Sequence, residues 1–327
     1  MKEAYLKNKE ILVTGGAGVI GSEMVRRLYR HNNVTILDNL SSGSVEHLDG
    51  ILDDSSVHFV RGDVSDISTV ETCLKDKDIV FHFAANGDVR FKPDLPTDLD
   101  LRINTLGMYN ILEGMRKCGA SEIAFSSSST VYGEASIRPT PESYGPLVPT
   151  SLYGASKLAS EGLIGGFSSF YGIKAWIYRF ANITAPTSRT LGRNVVPDFI
   201  EKLRKDPTRL LILGDGNQAK SYLYVDDCIE GMLYLMQHRN DEVNIYNLGS
   251  DDTITVREIA DIIVEAMNLK NVKYEFSGGR GGWKGDVPQM FLDISNAARA
   301  GWKPRRGSAE AVRLSARAII LNSSPHA

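Results

Sequence analysis

The sequence predicts an α/β fold, a doubly wound parallel sheet followed by a smaller α/β C-terminal lobe. Three observations carry this. Through the first half of the chain, short apolar runs alternate with longer segments of helical period. The runs are apolar at successive positions rather than at every second one. A glycine-rich turn joins the first run to the first helix. Alternating strands and helices imply right-handed βαβ crossovers, and continuously apolar strands suit a sheet covered on both faces.

The elements follow in order. Ile11-Leu12-Val13-Thr14 is the first strand, with a helix expected over 19–31 and a second strand at Val34-Thr35-Ile36-Leu37. Val57-His58-Phe59-Val60 is the third strand, followed by a helix over 68–75. Strands at 79–83 and 122–125 bracket a long helix over 96–117, and a helix over 151–171 leads into a strand at 174–178. Past residue 180 Pro186, Pro197 and Pro207 loosen the rhythm. Short strands are expected at 210–213 and 243–247, and helices near 195–205, 225–238 and 255–268. This divides the chain into a sheet domain over 1–180 and a lobe over 181–327, with parts of 225–250 rejoining the sheet. The lobe would lie over the C-terminal edge of the sheet, where ligands of open α/β sheets bind.

Bulk properties narrow the function. The 327 residues carry 37 Lys and Arg against 40 Asp and Glu, a net charge of −3 that argues against a nucleic-acid partner held by a broad basic surface. Cys73, Cys118 and Cys228 are odd in number and widely spaced, so neither a disulfide framework nor a zinc site is expected, and a reducing compartment is. The opening MKEAYLKNKE has no apolar core of a secretion leader, and no stretch approaches the roughly 20 apolar residues of a membrane span. The expectation is a cytoplasmic protein without a membrane partner. Asp226-Asp227 has no third ligand at metal spacing and reads as helix capping, so no metal is expected.

Thr14-Gly15-Gly16-Ala17-Gly18-Val19-Ile20-Gly21 satisfies GxGxxG through Gly16, Gly18 and Gly21, and GxxGxxG through Gly15, Gly18 and Gly21. Such a turn lets the backbone approach a pyrophosphate closely and offers it a helix N-terminus. Asp38 ends the second strand 20 residues after Gly18, placed to accept from both ribose hydroxyls of NAD and to repel the 2′-phosphate of NADP. The fold is therefore expected to be Rossmann-type and the cofactor NAD. A second constellation is Tyr153-Gly154-Ala155-Ser156-Lys157, whose i,i+4 spacing puts phenol and ammonium on one helix face. The ammonium, with a positive nicotinamide ring, is expected to favour the phenolate and so make Tyr153 a base. The hydroxyl run Ser126-Ser127-Ser128-Ser129-Thr130, just after a strand, can orient a substrate hydroxyl beside it.

Together these motifs resemble the extended short-chain dehydrogenases/reductases, and among them most closely the nucleotide-sugar epimerases typified by UDP-glucose 4-epimerase. The similarity runs along nearly the whole chain: TGGAGVIG at 14–21, LDNLSSG at 37–43, GDVSD at 62–66, FHFAA at 81–85, SSSSTVYG at 126–133, YGASK at 153–157, RFAN at 179–182, SYLYVDDC at 221–228, YNLGS at 246–250 and GDVPQM at 285–290. The resemblance implies Gly15, Gly18, Val19 and Ile20 at the pyrophosphate, Asp38, Asn39, Ser42 and Gly43 at the adenosine ribose, and Asp63 and Val64 at the adenine. It implies Phe83, Ala84, Ala85, Asn104, Ser126 and Phe180 along the cofactor channel, Ser128, Tyr153 and Lys157 as the catalytic group, and Thr130 beside them. For the substrate, a UDP-sugar, it implies Asn182, Val196 within the run 195–199, Lys220, Arg280, Asp286 and Met290. It also implies a homodimer pairing the helices at 96–117 and 151–171.

Two departures bear on the diphosphate. Trp283-Lys284-Gly285-Asp286 stands where the family often has Arg-x-Gly-Asp, and Lys220 stands where relatives often carry Arg. The clamp then falls to Arg280 or Lys284, and a Lys at 220 keeps the charge but not the bidentate fork. The resemblance also sorts the reactions. Related dehydratases carry Asp-Glu in place of Ser129-Thr130, and decarboxylases a Glu, so two hydroxyl residues imply plain redox epimerisation. Met290 sits where pocket width is set, which points to UDP-glucose/UDP-galactose. An N-acetylhexosamine or a uronic acid whose carboxylate meets Arg90 stays open, as does another nucleotide-sugar oxidoreductase. A non-catalytic NAD-binding sensor is the reading from another class, and it has no use for Ser128, Tyr153 and Lys157.

Overall fold

The computed structural model describes residues 6–90, 96–187 and 194–322. The elements in the sheet half are β1 (Glu10–Thr14), α1 (Val19–Leu28), β2 (Asn33–Asp38), β3 (Val57–Arg61), α2 (Ile67–Leu74), β4 (Ile79–His82), α3 (Gly107–Cys118), β5 (Glu122–Ser128), α4 (Leu152–Tyr171) and β6 (Lys174–Phe180). There follow β7 (Asn182–Thr184), α5 (Val195–Lys205), β8 (Arg209–Ile212), β9 (Ala219–Lys220), β10 (Tyr222–Tyr224), α6 (Val225–His238), β11 (Val243–Leu248), β12 (Ile254–Thr255), α7 (Val256–Ala266), β13 (Lys273–Phe276), β14 (Gln289–Met290), α8 (Ser295–Arg299) and α9 (Ser308–Asn322).

Seven strands form one parallel sheet in the order β3-β2-β1-β4-β5-β6-β11. The first six reproduce the 3-2-1-4-5-6 winding, with the topological switch between β1 and β4. Both faces are covered. Met24 and Val25 of α1 and Ile229, Met232 and Leu233 of α6 pack against one face, while Val70 of α2, Ile111 and Met115 of α3 and Ile164 of α4 pack against the other. The central strands are accordingly buried at successive residues, as in Ile11, Leu12 and Val13. A separate core in the lobe joins Phe199 and Leu203 of α5, Ile212 of β8, Ile259 and Ile263 of α7 and Val312 of α9. Between 180 and 250 the chain crosses back, since β11 closes the sheet beside β6.

Two local departures from expectation matter for the site. β5 runs on through Ser126, Ser127 and Ser128, because β6 pairs with it out to Ser128↔Phe180, so the hydroxyl run begins inside the strand. The long helix expected from 96 enters α3 through a widened π-helical segment, Leu101–Leu106. That segment carries Asn104, whose Oδ1 accepts from Asn86 N at 2.8 Å and whose Nδ2 donates to Ser156 Oγ at 2.9 Å.

Candidate active site

The switch point supplies the nucleotide end. Gly15 lies in the left-handed region at φ 68°, and a Cβ there would come within 2.6 Å of Ala84 N. A Cβ on Gly21 would meet Gly15 O at 2.2 Å, so only hydrogen allows the helix to close this tightly on the turn. Gly18 precedes α1 as its N-cap and brings no capping side chain, leaving the first N–H groups of the helix for an anion. Asp38, buried at the end of β2, accepts from Ala17 N through Oδ2 and from Leu40 N through Oδ1. Each oxygen keeps lone pairs for a ribose hydroxyl. Gly43 is pressed against Ala17, where a Cβ would be 2.8 Å from its carbonyl carbon. Asn39 Nδ2 donates to Asp63 Oδ2 at 2.6 Å, and the carbonyl of buried Val64 accepts from Asn110. A glycine cradle, an uncapped helix end and an acid between them fit a dinucleotide.

From this turn a cavity of about 510 Å³ runs between sheet and lobe. Ile20, Ser42, Phe83, Ala85, Ser126, Ser128, Thr130, Tyr153, Lys157 and Phe180 line its sheet side, and Asn182, Lys220, Asp286 and Met290 its lobe side. Ser128 Oγ accepts from Thr130 N at 3.2 Å and hydrogen-bonds the Tyr153 phenol. Lys157 Nζ donates to the Ser126 carbonyl at 2.7 Å and lies 4.7 Å from the Phe125 ring centre. Thr130 lines the wall, but its hydroxyl is buried and has no protein partner.

Burial dominates the electrostatics of Tyr153 and Lys157. Burial pushes the Tyr153 phenol up to about 12, only partly offset by the Ser128 hydrogen bond, with the Asp100 charge adding to the rise. The Lys157 ammonium is itself pulled down to about 7 by burial, against the stabilising charges of Glu161 and Asp100. Desolvation is the largest influence on the phenol.

Three expectations shift. Arg280 is outside the cavity wall, 71 % exposed and paired with Glu134 at 3.0 Å. Val196 turns into the lobe core, while its neighbour Val195 faces the cavity, since adjacent helical residues point about 100° apart. Asn104 is buried behind the wall and holds Asn86 and Ser156 instead of lining the channel. Asp226-Asp227 also plays another part: Asp227 pairs with Arg306 at 2.9 Å and accepts from Arg305 N, fastening the segment before α9. Among the described residues there is no grouping of His, Cys, Asp and Glu able to hold a metal, and no helix is long and apolar enough to cross a membrane.

Charges on the wall are paired, in part with residues that motif reading passed over, Asp88, Asp198 and Lys202. Arg90 grips Asp88 with both ends of its fork, at 3.1 and 3.2 Å. Lys202 meets Asp198 at 2.8 Å, and Lys220 meets Asp286 at 2.6 Å beneath the Trp283 ring. The Asp198–Lys202 pair had a signal, the i,i+4 spacing on a helix, and Arg90–Asp88 is local; Lys220 and Asp286, 66 residues apart, are brought together by the fold.

Residues 11–249 match the model of the NAD dependent epimerase/dehydratase family. A relative from Methanocaldococcus jannaschii named "Putative UDP-glucose 4-epimerase" is 36 % identical over 307 residues, covering 93 % of this chain and 96 % of that one. The dTDP-glucose 4,6-dehydratase of Streptomyces antibioticus is 31 % identical, covering 92 % and 90 %. The solved UDP-glucose 4-epimerase of Thermotoga maritima, in a structure with UDP-glucose, superposes with a TM-score of 0.85 at 32 % identity, covering 96 % of this chain and all of that one. The chain therefore belongs to the NAD dependent epimerase/dehydratase family, extended short-chain dehydrogenases/reductases that use NAD on nucleotide sugars.

Proposed function

We propose that the protein is a 4-epimerase of a UDP-hexose, interconverting UDP-glucose and UDP-galactose through a transient 4-keto sugar. The observation that carries this reading is the state of the acids around the cavity. The three carboxylates on its described wall, Asp88, Asp198 and Asp286, are each matched by a cation on the same wall. Beside Tyr153 stand the hydroxyls of Ser128, Ser129 and Thr130. Elimination or decarboxylation needs a proton donor or base beyond the tyrosine, and hydroxyl groups are poor ones near neutral pH.

NAD, when bound, supplies a hydride acceptor and a positive ring charge. The chain's residues do the rest. Tyr153 exchanges a proton with the sugar 4-hydroxyl, Ser128 holds that hydroxyl in line, and Thr130 lines the wall beside them. Lys157, anchored on the Ser126 carbonyl, keeps a charge beside the phenol. Asn182, Lys220 and Asp286 hold the nucleotide diphosphate end, whose binding energy keeps the sugar in place while its ring is free to turn over. Arg90 is already matched by Asp88, which favours a neutral hexose over a uronic acid. The test is incubation of the purified protein with UDP-glucose and, separately, with UDP-glucuronate, followed by product analysis. UDP-galactose is expected from the first; a dehydrated product from UDP-glucose, or turnover of UDP-glucuronate alone, overturns the reading.

We further propose a homodimer. Leu106 at the end of the π-helical segment, Tyr109 on α3 and Leu152, Phe170 and Tyr171 on α4 expose apolar surface on neighbouring helices, which favours the pairing that the resemblance implies. Sedimentation should give a dimer, and Phe170→Glu a monomer; a monomeric wild type contradicts it.

A further inference from the structure

Beneath the cavity floor lies a charged group that the proposed chemistry does not use. Glu161 is on α4, four residues after Lys157 and eight after Tyr153, so the three side chains fall along one stripe of the helix. Its carboxylate is buried and fully engaged. Ser127 Oγ donates to Oε1 at 2.5 Å, Arg179 Nε donates to Oε1 at 3.0 Å, and Arg179 Nη2 donates to Oε2 at 2.7 Å. Arg179 is the β6 residue paired in register with Ser127, and its other arm donates to the Tyr132 hydroxyl at 3.0 Å.

The position of Ser127 gives this pair its significance. One residue before it, the Ser126 carbonyl holds the Lys157 ammonium. One residue after it, Ser128 meets the Tyr153 phenol. Glu161 therefore grips the residue between the two handles of the site. A buried Arg–carboxylate pair is a poor way to gain stability, since well-packed apolar residues of the same volume do as well or better. Its retention here, one turn behind the lysine, needs another reason.

We infer that Glu161 is a positioning residue for Ser128, Tyr153 and Lys157: its carboxylate fixes Ser127 between the lysine's anchor and the tyrosine's partner, and sets a negative charge one helical turn behind the ammonium. The geometry splits the role into a hydrogen bond and a charge. The charge acts on Lys157 together with the other groups around it: Asp100 ahead of the π-helical segment, Tyr153 on α4, His82 on β4, and Arg179 on β6 through Glu161 itself. Glu161 and Asp100 favour the ammonium, while burial opposes it.

The inference rests on Tyr153 and Lys157 as the reacting group, and its test is readable without a substrate. The folded lysine gives up its proton at a lower pH than the unfolded one, so stability rises with pH once the folded lysine begins to titrate. That onset is measured by denaturant unfolding across pH, with saturating NAD. In Glu161→Gln it should move down by about one pH unit, the scale of losing an adjacent opposite charge. The alkaline limb of kcat should move with it. Ser127→Ala keeps the charge and removes the bond; its onset should stay at the wild-type pH while kcat falls about tenfold and KM holds. If Glu161→Gln fails to fold, Glu161→Gln with Arg179→Gln removes both charges at once; its onset should move down by less, because the lost guanidinium offsets part of the lost carboxylate, and an onset at the wild-type pH overturns the inference. An onset at the wild-type pH in the folded Gln variant, with only a lower midpoint, makes Glu161 a packing residue and overturns the inference. Failure of the UDP-hexose assignment leaves the stability curves unaffected.

Discussion

Lys157 should be a residue that the protein keeps at a cost in stability. Its ammonium is buried between the Ser126 carbonyl and the Phe125 ring, and burial brings it from an ordinary 10.5 down to about 7. The unfolded lysine is protonated throughout the neutral range. Below pH 7 both states carry the charge, and the folded state bears the full cost of desolvating it. Above pH 7 the folded lysine sheds its proton while the unfolded one keeps it, so stability recovers as pH rises toward 10.5. The cost works out at about 5 kcal/mol at pH 6 and about 2 kcal/mol at pH 9. Lys157→Met fills the same volume with an apolar chain. It loses the bond to Ser126, a charge-assisted contact contributing about 2–3 kcal/mol. The variant should therefore be about 2–3 kcal/mol more stable than wild type at pH 6 and no more stable at pH 9, while inactive. Urea unfolding of both proteins, free of NAD so that ligand linkage does not enter, measures the difference. A variant less stable at pH 6, or a gap that does not change between the two pH values, refutes the argument.

His82 shares a 2.7 Å hydrogen bond with Thr14 and is pushed by burial from 6.5 down to about 3, so it contributes stability that is lost as pH falls below 6.5. Between pH 7 and 4.5 this amounts to about 3 kcal/mol, and His82→Gln should lose that much less over the same interval; equal acid losses in the two proteins contradict it. Gly21→Ala places a methyl 2.2 Å from the Gly15 carbonyl oxygen and must push the turn open. NAD affinity, measured by calorimetry, should fall at least about tenfold while the far-ultraviolet spectrum is retained, and unchanged affinity would show that the turn is not a phosphate cradle.

The sheet was legible because its strands are long, apolar and punctuated: the order of runs from Ile11 to Tyr178 and the turn at Gly15 contain the winding and the switch point. The lobe was less so. Strands of two or three residues, such as Ala219–Lys220 and Gln289–Met290, carry no periodicity, and α9 (Ser308–Asn322) went unread. Within the site, spacing placed Tyr153 and Lys157 on one face but carries no information on how strongly burial acts on each. Choosing Val196 over Val195 needed the rotation of α5, which two adjacent valines do not reveal. Arg280 was chosen by its place in a motif, whereas its side chain finds Glu134 across the fold. Glu161 was invisible for a related reason: its partners Ser127 and Arg179 lie 34 and 18 residues away, and only the pairing of β5 with β6 brings them together.

The central claim is that one phenol oxygen, held by Ser128 against the cavity, exchanges the substrate's proton. Tyr153→Phe removes that oxygen and little else. Turnover of UDP-glucose should drop by about a thousandfold or more, the upper range for loss of an acid–base group, while bound NAD is retained at the wild-type amount. A Phe variant that turns over UDP-glucose at the wild-type rate would place the chemistry on another group and contradict the account.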